Sequence, residues 1–209
     1  MANGLREENI RRIIALEDRI CDCRRCPEQL HCVRRPAMGK GELSPDIMIV
    51  FEGENQYTSD LEQIIELRRL LKNCLGVEKI YHTFMTRCTP KACSTRHSVC
   101  CYTPSKLLDK DYNCILTKQP CNGVPVTPDT TQILHCLAYL IEEIDILNPH
   151  FVLLMGERVS EFVLKSYGIF DLPEPGRSYL SNQRYFITAV NEQYFGEGEC
   201  QQLAAAFSA

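Results

Sequence analysis

The sequence predicts an α/β protein, specifically a three-layer α/β/α sandwich around a four-stranded parallel sheet, built as a single domain over residues 1–209. Short apolar runs alternate with segments of helical periodicity, and this alternation is typical of parallel sheets. The apolar runs lack polar alternation, which indicates strands buried on both faces. The contents of 44% hydrophobic and 24% charged residues are those of a globular chain with a substantial core.

The N-terminal part of the chain predicts a helix and then a strand. Apolar side chains recur at helical spacing over residues 7–20 and predict an amphipathic helix. These side chains are Ile10, Ile13, Ile14, Leu16 and Ile20. A cysteine cluster and a loop with glycines and prolines follow, and the apolar run 47–51 is the first strand.

The next part predicts a helix, a strand and an irregular insertion. Ser59 and Glu62 have the spacing of a capping box, so a helix is expected to begin there and to continue to Gly76. Residues 77–85 are predicted to form the second strand. No regular periodicity follows as far as residue 128, which makes about 89–128 a Cys-rich insertion that something must hold in place.

The C-terminal part predicts two further strands, each followed by a helix. The elements are a helix from an N-cap at Thr127, with Pro128 in its first turn, to Asn148, a strand over 151–155, a helix that ends at Gly168, a strand over 184–190 and a short helix near 198–207. Ligands of parallel sheets bind beyond the carboxyl ends of the strands, so function is expected in the loops that follow them. These loops begin at Phe51, Arg87, Gly156 and Asn191.

Charge and targeting signals exclude several classes of protein. With 23 basic and 27 acidic residues, the formal net charge of −4 gives no general attraction for nucleic acids or anionic membranes. The first residues lack the pattern of a secretory signal, and no run reaches the roughly 18 apolar residues of a membrane span. An intracellular protein without membrane contact, cytoplasmic or associated with the nucleus or nucleoid, is therefore expected.

Thirteen cysteines are the strongest chemical signal in the sequence. Disulfides are rarely kept inside cells, so metal ligation is the leading interpretation. Cys23 and Cys26 have the spacing that lets two thiolates reach one metal or cluster. Cys21 and Cys32 would complete a zinc knuckle with them, and cysteine count alone does not distinguish zinc from an iron–sulfur centre.

Several motifs that contain cysteine, proline or buried strands follow one another in a specific order along the chain. They are Cys23-Arg-Arg-Cys26-Pro27, Asp46-Ile-Met-Ile-Val50 before a Glu-containing loop, Arg87-Cys88-Thr-Pro90 after a strand, Gln132-x3-Cys136 on a helix, and Leu147-Asn-Pro149 before Val152-Leu-Leu-Met-Gly156. This order resembles that of the iron–sulfur uracil-DNA glycosylases of the family 4 type. The resemblance implies a four-stranded parallel sheet between helices, and a [4Fe–4S] cluster held by Cys23, Cys26, Cys88 and Cys136. It further implies a DNA-binding protein that removes uracil or another deaminated base by hydrolysis of the N-glycosidic bond.

The segment between Cys88 and Cys136 is longer than the resembled family usually has, at 47 residues, and it contains five further cysteines. Cys93, Cys100 or Cys101, Cys114 and Cys121 could hold a separate zinc ion that pins the insertion. The alternative is that they are scattered structural thiols. An insertion fixed by its own cysteines would also offer a surface to a protein partner.

Two loops of the resembled family act on the base and the sugar, and this chain retains only part of each. Such enzymes flip the nucleotide out, stabilise an oxocarbenium-like sugar and release the base as an anion. The ungapped alignment keeps Glu52 of the first loop, which would position or activate water. Asn191 stands where the second loop would have a histidine that donates to the leaving base. Loss of such a donor typically costs ~100-fold or more in rate.

A shifted alignment of Gly53 to Tyr57 instead resembles the Gly-Gln-Asp-Pro-Tyr loop of the classical uracil-DNA glycosylases. It places Asn55 at the water-activating Asp and Tyr57 at the thymine-excluding Tyr. An Asn orients water but cannot take its proton, so either alignment implies weak catalysis unless Glu52 or Glu54 serves as the base.

Two functions therefore stay open: an iron–sulfur glycosylase, and a catalytically inactive family member that binds DNA or a protein as a structural module. A local basic rim could contact DNA. Its residues would be Arg34, Arg35, Lys40, Arg177 and Arg184. Three histidines, His82, His97 and His135, are too isolated in the sequence to be predicted as ligands, and a core or surface role is expected for each.

Overall fold

The computed structural model describes residues 2–26, 36–89, 91–92, 109–111, 113–120 and 124–207. Its helices are α1 (Ala2–Cys21), α2 (Gln56–Ser59), α3 (Leu61–Leu75), α4 (Thr130–Leu147), α5 (Glu157–Ser166) and α6 (Glu197–Phe207). Its strands are β1 (Lys40–Gly41), β2 (Ile47–Phe51), β3 (Ile80–Phe84), β4 (Lys91–Ala92), β5 (Val124–Pro125), β6 (Phe151–Met155), β7 (Ser178–Ser181) and β8 (Arg184–Ala189), and a 3-10 turn (Glu192–Tyr194) follows β8. Within these residues, no helix combines the length and the apolar character that crossing a membrane requires.

Six strands form one mostly parallel sheet, in the order β1, β3, β2, β6, β8 and β7. The four central strands are parallel to one another, and β1 and β7 lie antiparallel at the two edges. The α/β class is thus confirmed. The sequence predicted all four central strands and missed both edge strands, so the sheet has six strands rather than four.

Apolar residues on the two faces of this sheet form two cores. In β2, Met48 and Val50 pack into one core and Ile49 packs into the other. Helices α1, α4 and α5 contribute to the first core, and α3 and α6 contribute to the second. Because each face is covered, every position of the strand is apolar, which explains the absence of polar alternation in the sequence.

Two helices begin later than the sequence predicted. The side chain of Asp60 caps α3 by accepting a backbone hydrogen bond at 2.9 Å, and Ser59 instead ends α2. The N-cap of α4 is Asp129, which forms a capping box with Gln132, rather than Thr127. At a helix N-terminus a carboxylate adds favourable charge to the capping hydrogen bond, which suits both aspartates to this position.

The predicted Cys-rich insertion lies largely outside the described residues. Its described part contains the antiparallel pair of β4 and β5 and a bridge between Asn113 and Pro120. Of the proposed zinc ligands, Cys114 is buried within this part. The others, Cys93, Cys100, Cys101 and Cys121, lie outside the described residues.

Candidate functional site

The carboxyl ends of the parallel strands lie at one edge of the sheet, and this edge carries the predicted catalytic residues. Glu52 follows β2, Gly156 follows β6, and Asn191 is the second residue after β8. All three line a cavity of about 380 Å³. The structure therefore brings Glu52 and Asn191 together, although they are far apart in the sequence.

Glu52 is paired with a cation within this cavity. Its Oε1 accepts a hydrogen bond from Arg158 Nη1 at 2.6 Å, and each side chain is 31% exposed. Arg158 also donates to the carbonyl oxygen of Pro128, just before α4. The carboxylate is thus held in place, and its charge is shared with a guanidinium that belongs to the first turn of α5.

The loop after β2 is held against the loop after β3. Thr86 donates to the carbonyl oxygen of Glu52 twice, from its backbone nitrogen at 2.8 Å and from Oγ1 at 2.7 Å. A Cβ at Gly53 would lie 2.8 Å from Thr86 Oγ1, so this close approach requires glycine. These contacts connect the candidate catalytic loop with the segment that carries Arg87 and Cys88.

Asn55 belongs to the same loop as Glu52, but its side chain bonds to a residue that lines a second cavity. Its Oδ1 accepts a hydrogen bond from the Thr58 backbone at 2.9 Å, which caps α2, and its Nδ2 donates to Glu192 Oε1 at 2.5 Å. Glu192 and Tyr57 line a cavity of about 640 Å³. Glu54 is exposed. The loop after β8 therefore supplies the carboxylate to which the Asn55 side chain bonds.

Cysteines from three segments of the chain meet at the N-terminal half of α4. Cys136 lies on this helix; burial raises the pKa of its thiol, and the nearby backbone N–H group of Arg87, the charge of Arg87 and the backbone N–H group of Cys88 oppose this effect. Cys26 lies beyond the end of α1, and its Sγ is 3.4 Å from His135 Nδ1. His135 thus lies beside the cysteines, which the sequence did not indicate.

The fourth cysteine of this group is Cys23, which lies near Tyr139 on α4: burial and then the Cys23 thiol raise the pKa of the Tyr139 hydroxyl. Burial and then the nearby thiols of Cys136, Cys23 and Cys26 together raise the pKa of Cys88 to about 12. None of the eight described cysteines forms a disulfide. Among the described residues, no three His, Cys, Asp or Glu side chains are grouped closely enough to hold a single metal ion.

Arg87 lies buried beside these cysteines in a polar network. It forms an ion pair with Glu143, which also accepts hydrogen bonds from the Tyr81 hydroxyl at 2.7 Å and from Thr83 Oγ1 at 2.5 Å. Arg87 and Glu143 are each 2% exposed, and Nε and Nη1 of Arg87 have no hydrogen-bond partner within the described structure. Its positive charge opposes the effect of burial on the pKa of Cys88.

The predicted basic rim is wrong for Arg184. This residue is buried and donates to Asn148 Oδ1 at 3.0 Å, so it fastens the start of β8 to the end of α4. Lys40 and Arg177 are exposed, but they lie at or beside the opposite edge strands of the sheet. They therefore do not form one continuous surface.

Other sequence predictions have mixed outcomes. His82 is buried, with Nδ1 2.8 Å from Arg68 Nη2, which agrees with the expected core role. Cys21, considered for a zinc knuckle, is exposed. Arg34, Arg35, Cys32 and His97 lie outside the described residues.

The chain matches no model of a protein family and no curated protein. Its site is therefore defined by its own residues, and two of them, Arg158 and Glu192, were missed from the sequence. Both are charged residues within three positions of a strand's carboxyl end, Arg158 after β6 and Glu192 after β8. A charged residue at that position was the only signal that could have identified them.

Proposed function

We propose that the chain is an iron–sulfur protein of the uracil-DNA glycosylase type, in which Cys23, Cys26, Cys88 and Cys136 hold a [4Fe–4S] cluster. The observation that carries the proposal is the convergence of these four thiols from three distant segments. The charged neighbours that affect Cys88 include the other three thiols, whereas Cys21 is exposed. These four are also the residues that the order of motifs singles out.

The donor set fits such a cluster. Thiolates are the usual ligands of iron–sulfur clusters, and each binds a different iron. They therefore stand further apart than thiolates around one ion, and after burial the nearby thiols of Cys136, Cys23 and Cys26 are what raises the pKa of Cys88. Burial raises the pKa of Cys136, and the backbone N–H groups of Arg87 and Cys88, which oppose this effect, are of the kind that tunes bound clusters.

The cavity between Glu52 and Asn191 is the proposed position of a deaminated base flipped out of DNA. Removal of the base breaks the N-glycosidic bond, so that the base leaves as an anion and water adds to the sugar cation. Glu52 stabilises the cation and accepts the proton of the attacking water, while Asn191 Nδ2 donates a hydrogen bond to the leaving base. A bound cluster would supply metal–thiolate cross-links that fix the loop of Cys88, against which Thr86 holds the Glu52 loop.

A second function is favoured by the pairing of Glu52 with Arg158, which reduces the charge available to a sugar cation. The absence of a histidine at Asn191 weakens the stabilisation of the leaving base in the same way. Both features suit a catalytically inactive family member that binds DNA, or a protein through the Cys-rich insertion, as a structural module.

One assay separates the two functions. Cluster-loaded protein is incubated with single-stranded and duplex oligonucleotides that contain uracil, hypoxanthine or xanthine, and base release and binding are measured on the same samples. Release supports the glycosylase, whereas tight binding without release supports the structural module. Anaerobic preparations should be brown with about four irons per chain. A colourless protein that contains only zinc would overturn the cluster assignment and with it the main support for both functions.

A further inference from the structure

Two free thiols lie together where α3 packs against α6, away from the sites described above. Cys74 lies in the last turn of α3, and Cys200 lies in the first turn of α6. Both belong to the apolar core on one face of the sheet. Cys23, by contrast, packs against the core on the opposite face. This thiol pair is therefore separate from the four cysteines of the proposed cluster.

The backbone of α3 brings the two thiols together. Cys200 Sγ donates to the carbonyl oxygen of Leu70 at 3.8 Å. In an α-helix this oxygen faces the N–H group four residues later, which is that of Cys74. The Cα–Cβ bonds of a helix tilt toward its N-terminus, so the Cys74 side chain leans back toward Leu70 and thus toward Cys200. In agreement with this contact, burial and then the Cys74 thiol raise the pKa of Cys200 to about 12.

The two thiols differ in their access to solvent. Cys74 is partly exposed, so a small oxidant reaches its sulfur, whereas Cys200 is 0% exposed. A buried thiol in apolar surroundings does not react with oxidants directly, but it can react with a modified cysteine that touches it. An accessible thiol with a second thiol beside it is the arrangement found in redox-sensing cysteines.

We propose that Cys74 and Cys200 form an oxidation site, at which hydrogen peroxide produces a reversible disulfide between α3 and α6. The Cys74 sulfur attacks peroxide, so that an S–O bond forms, the O–O bond breaks and one water leaves with the thiol proton. The Cys200 sulfur then attacks the Cys74 sulfenic acid. The S–S bond forms, the S–O bond breaks and the hydroxyl leaves as a second water with the Cys200 proton. Peroxide takes up the two electrons, and a thiol reductant returns them to the protein.

The disulfide connects two loops that the chain places far apart. Helices α2 and α3 follow the loop of Glu52 and Asn55, and α6 follows the turn that contains Glu192. The side chains of Asn55 and Glu192 already bond to each other, and the disulfide adds a covalent link between the helices that follow them. The inference depends neither on the cluster nor on base removal, because it uses no residue assigned to either.

Peptide mapping of the full chain tests the proposal. Dilute protein is treated with a small excess of hydrogen peroxide, the remaining thiols are blocked with N-ethylmaleimide, and the unreduced tryptic peptides are identified by mass spectrometry. Cleavage at lysine and arginine puts Cys74 on peptide 73–79 and Cys200 on peptide 185–209, each with no other cysteine. This linked pair should exceed every other disulfide of Cys74 at least about tenfold, because a neighbouring thiol has a far higher effective concentration than a second chain. Cys74 recovered as a sulfinic acid or linked elsewhere, with Cys200 still free, contradicts the proposal.

Thermal unfolding of variants tests whether the link fastens α6. Oxidation should raise the unfolding midpoint of the natural chain by about 5 °C or more, and dithiothreitol should reverse the change. Cys74→Ser should show no such rise, whereas Cys21→Ser, which removes an exposed thiol elsewhere, should keep it in full. Proteins of equal iron content are compared, so that a loss of iron does not enter the difference. An equal rise in Cys74→Ser, or no rise in the natural chain, would overturn the proposal.

Discussion

Glu52 carries the negative charge that the proposed base removal would need, and it forms an ion pair with Arg158. If base release is detected, Glu52→Gln is expected to lower its rate at least tenfold, which corresponds to about 1.4 kcal/mol of barrier, because a neutral amide cannot stabilise the sugar cation. Asn191→Ala should also weaken release. Asn191→His should raise it, because an imidazole would again donate to the leaving base. Single-turnover release of uracil from a labelled oligonucleotide measures all three rates.

The exposed Glu54 on the same loop provides the matched control, since Glu54→Gln should leave the rate unchanged. A silent Glu52→Gln, combined with loss of release in Asn55→Ala or Glu54→Gln, would show that the shifted alignment is correct. The proposed chemistry would then move to the cavity that Glu192 lines.

The cysteine assignment makes its own prediction about single residues. Cys88→Ser and Cys136→Ser should lose iron, because each removes one of four ligands that the cluster requires. Cys200→Ser should keep it, since Cys200 is buried between α3 and α6 in the core on the other face of the sheet. Iron content and visible absorbance of anaerobically purified variants give the readout. Equal loss of iron from all three variants would show that the ligand set is wrong.

Within the polar network, the ion pair of Arg87 and Glu143 is expected to contribute most to the free energy of unfolding. Glu143→Gln leaves the guanidinium buried without a counter-charge, and such a loss typically destabilises a protein by about 3–5 kcal/mol. Tyr81→Phe removes only one hydrogen bond to Glu143, so its cost is expected near 1 kcal/mol. Urea unfolding at matched iron content measures both. Similar small losses in the two variants would mean that Arg87 does not depend on this carboxylate.

At the scale of elements, the sequence predicted the central strands, which have runs of several apolar residues. It missed the edge strands, which have almost no buried positions. Every position of β2 is buried, so its apolar run was unambiguous. β1 has two residues and β7 has only one buried position, so neither shows the pattern of apolar residues that predicts a strand. The turn from β7 to β8 has Asn182 and Gln183 at φ of 51° and 62°. Because glutamine is an unusual residue at positive φ, the sequence of this turn does not predict a hairpin.

The edge of the sheet at β1 and β3 makes folding stability sensitive to acid through His82. Burial, followed by the positive charges of Arg68 and Lys40, lowers the pKa of His82 from 6.5 to about 4. Between these values the unfolded chain binds a proton that the folded chain does not, so stability falls as the pH falls through this window. The contribution at stake is roughly 3 kcal/mol.

Urea unfolding between pH 7 and pH 4, with His82→Gln as the comparison, measures this contribution. The variant cannot take up the proton, so its stability should fall less steeply on acidification than that of the natural chain. Parallel pH profiles for the two proteins would show that carboxylates elsewhere, rather than His82, account for the acid sensitivity.

At the scale of the whole molecule, the sequence predicted which loop or helix carries Glu52 and each cysteine. It did not predict which distant residues these side chains contact. Parallel strands pair across long separations, so the contact of Asn55 with Glu192 spans 137 positions and leaves no local pattern. The convergence of Cys23 and Cys26 with α4 likewise depends on the packing of α1 against that helix. Chain order indicated the four cysteines through a resemblance, but how near they lie to one another depends on the fold.

The four cysteines join the end of α1, the loop after β3 and helix α4, so a bound cluster should stabilise the whole domain. A group that binds the folded chain and not the unfolded one raises stability by mass action, by about 3 kcal/mol or more for a tightly held cofactor. Removal of iron with ferricyanide and EDTA is therefore expected to lower the unfolding midpoint and to expose α1 first to limited proteolysis, because α1 then depends on apolar packing and on the ion pair of Arg19 with Glu142. Cys136→Ser prepared without iron should not respond to the same treatment. Identical unfolding midpoints and identical cleavage patterns for the loaded and stripped natural chain would show that no cofactor links these three segments.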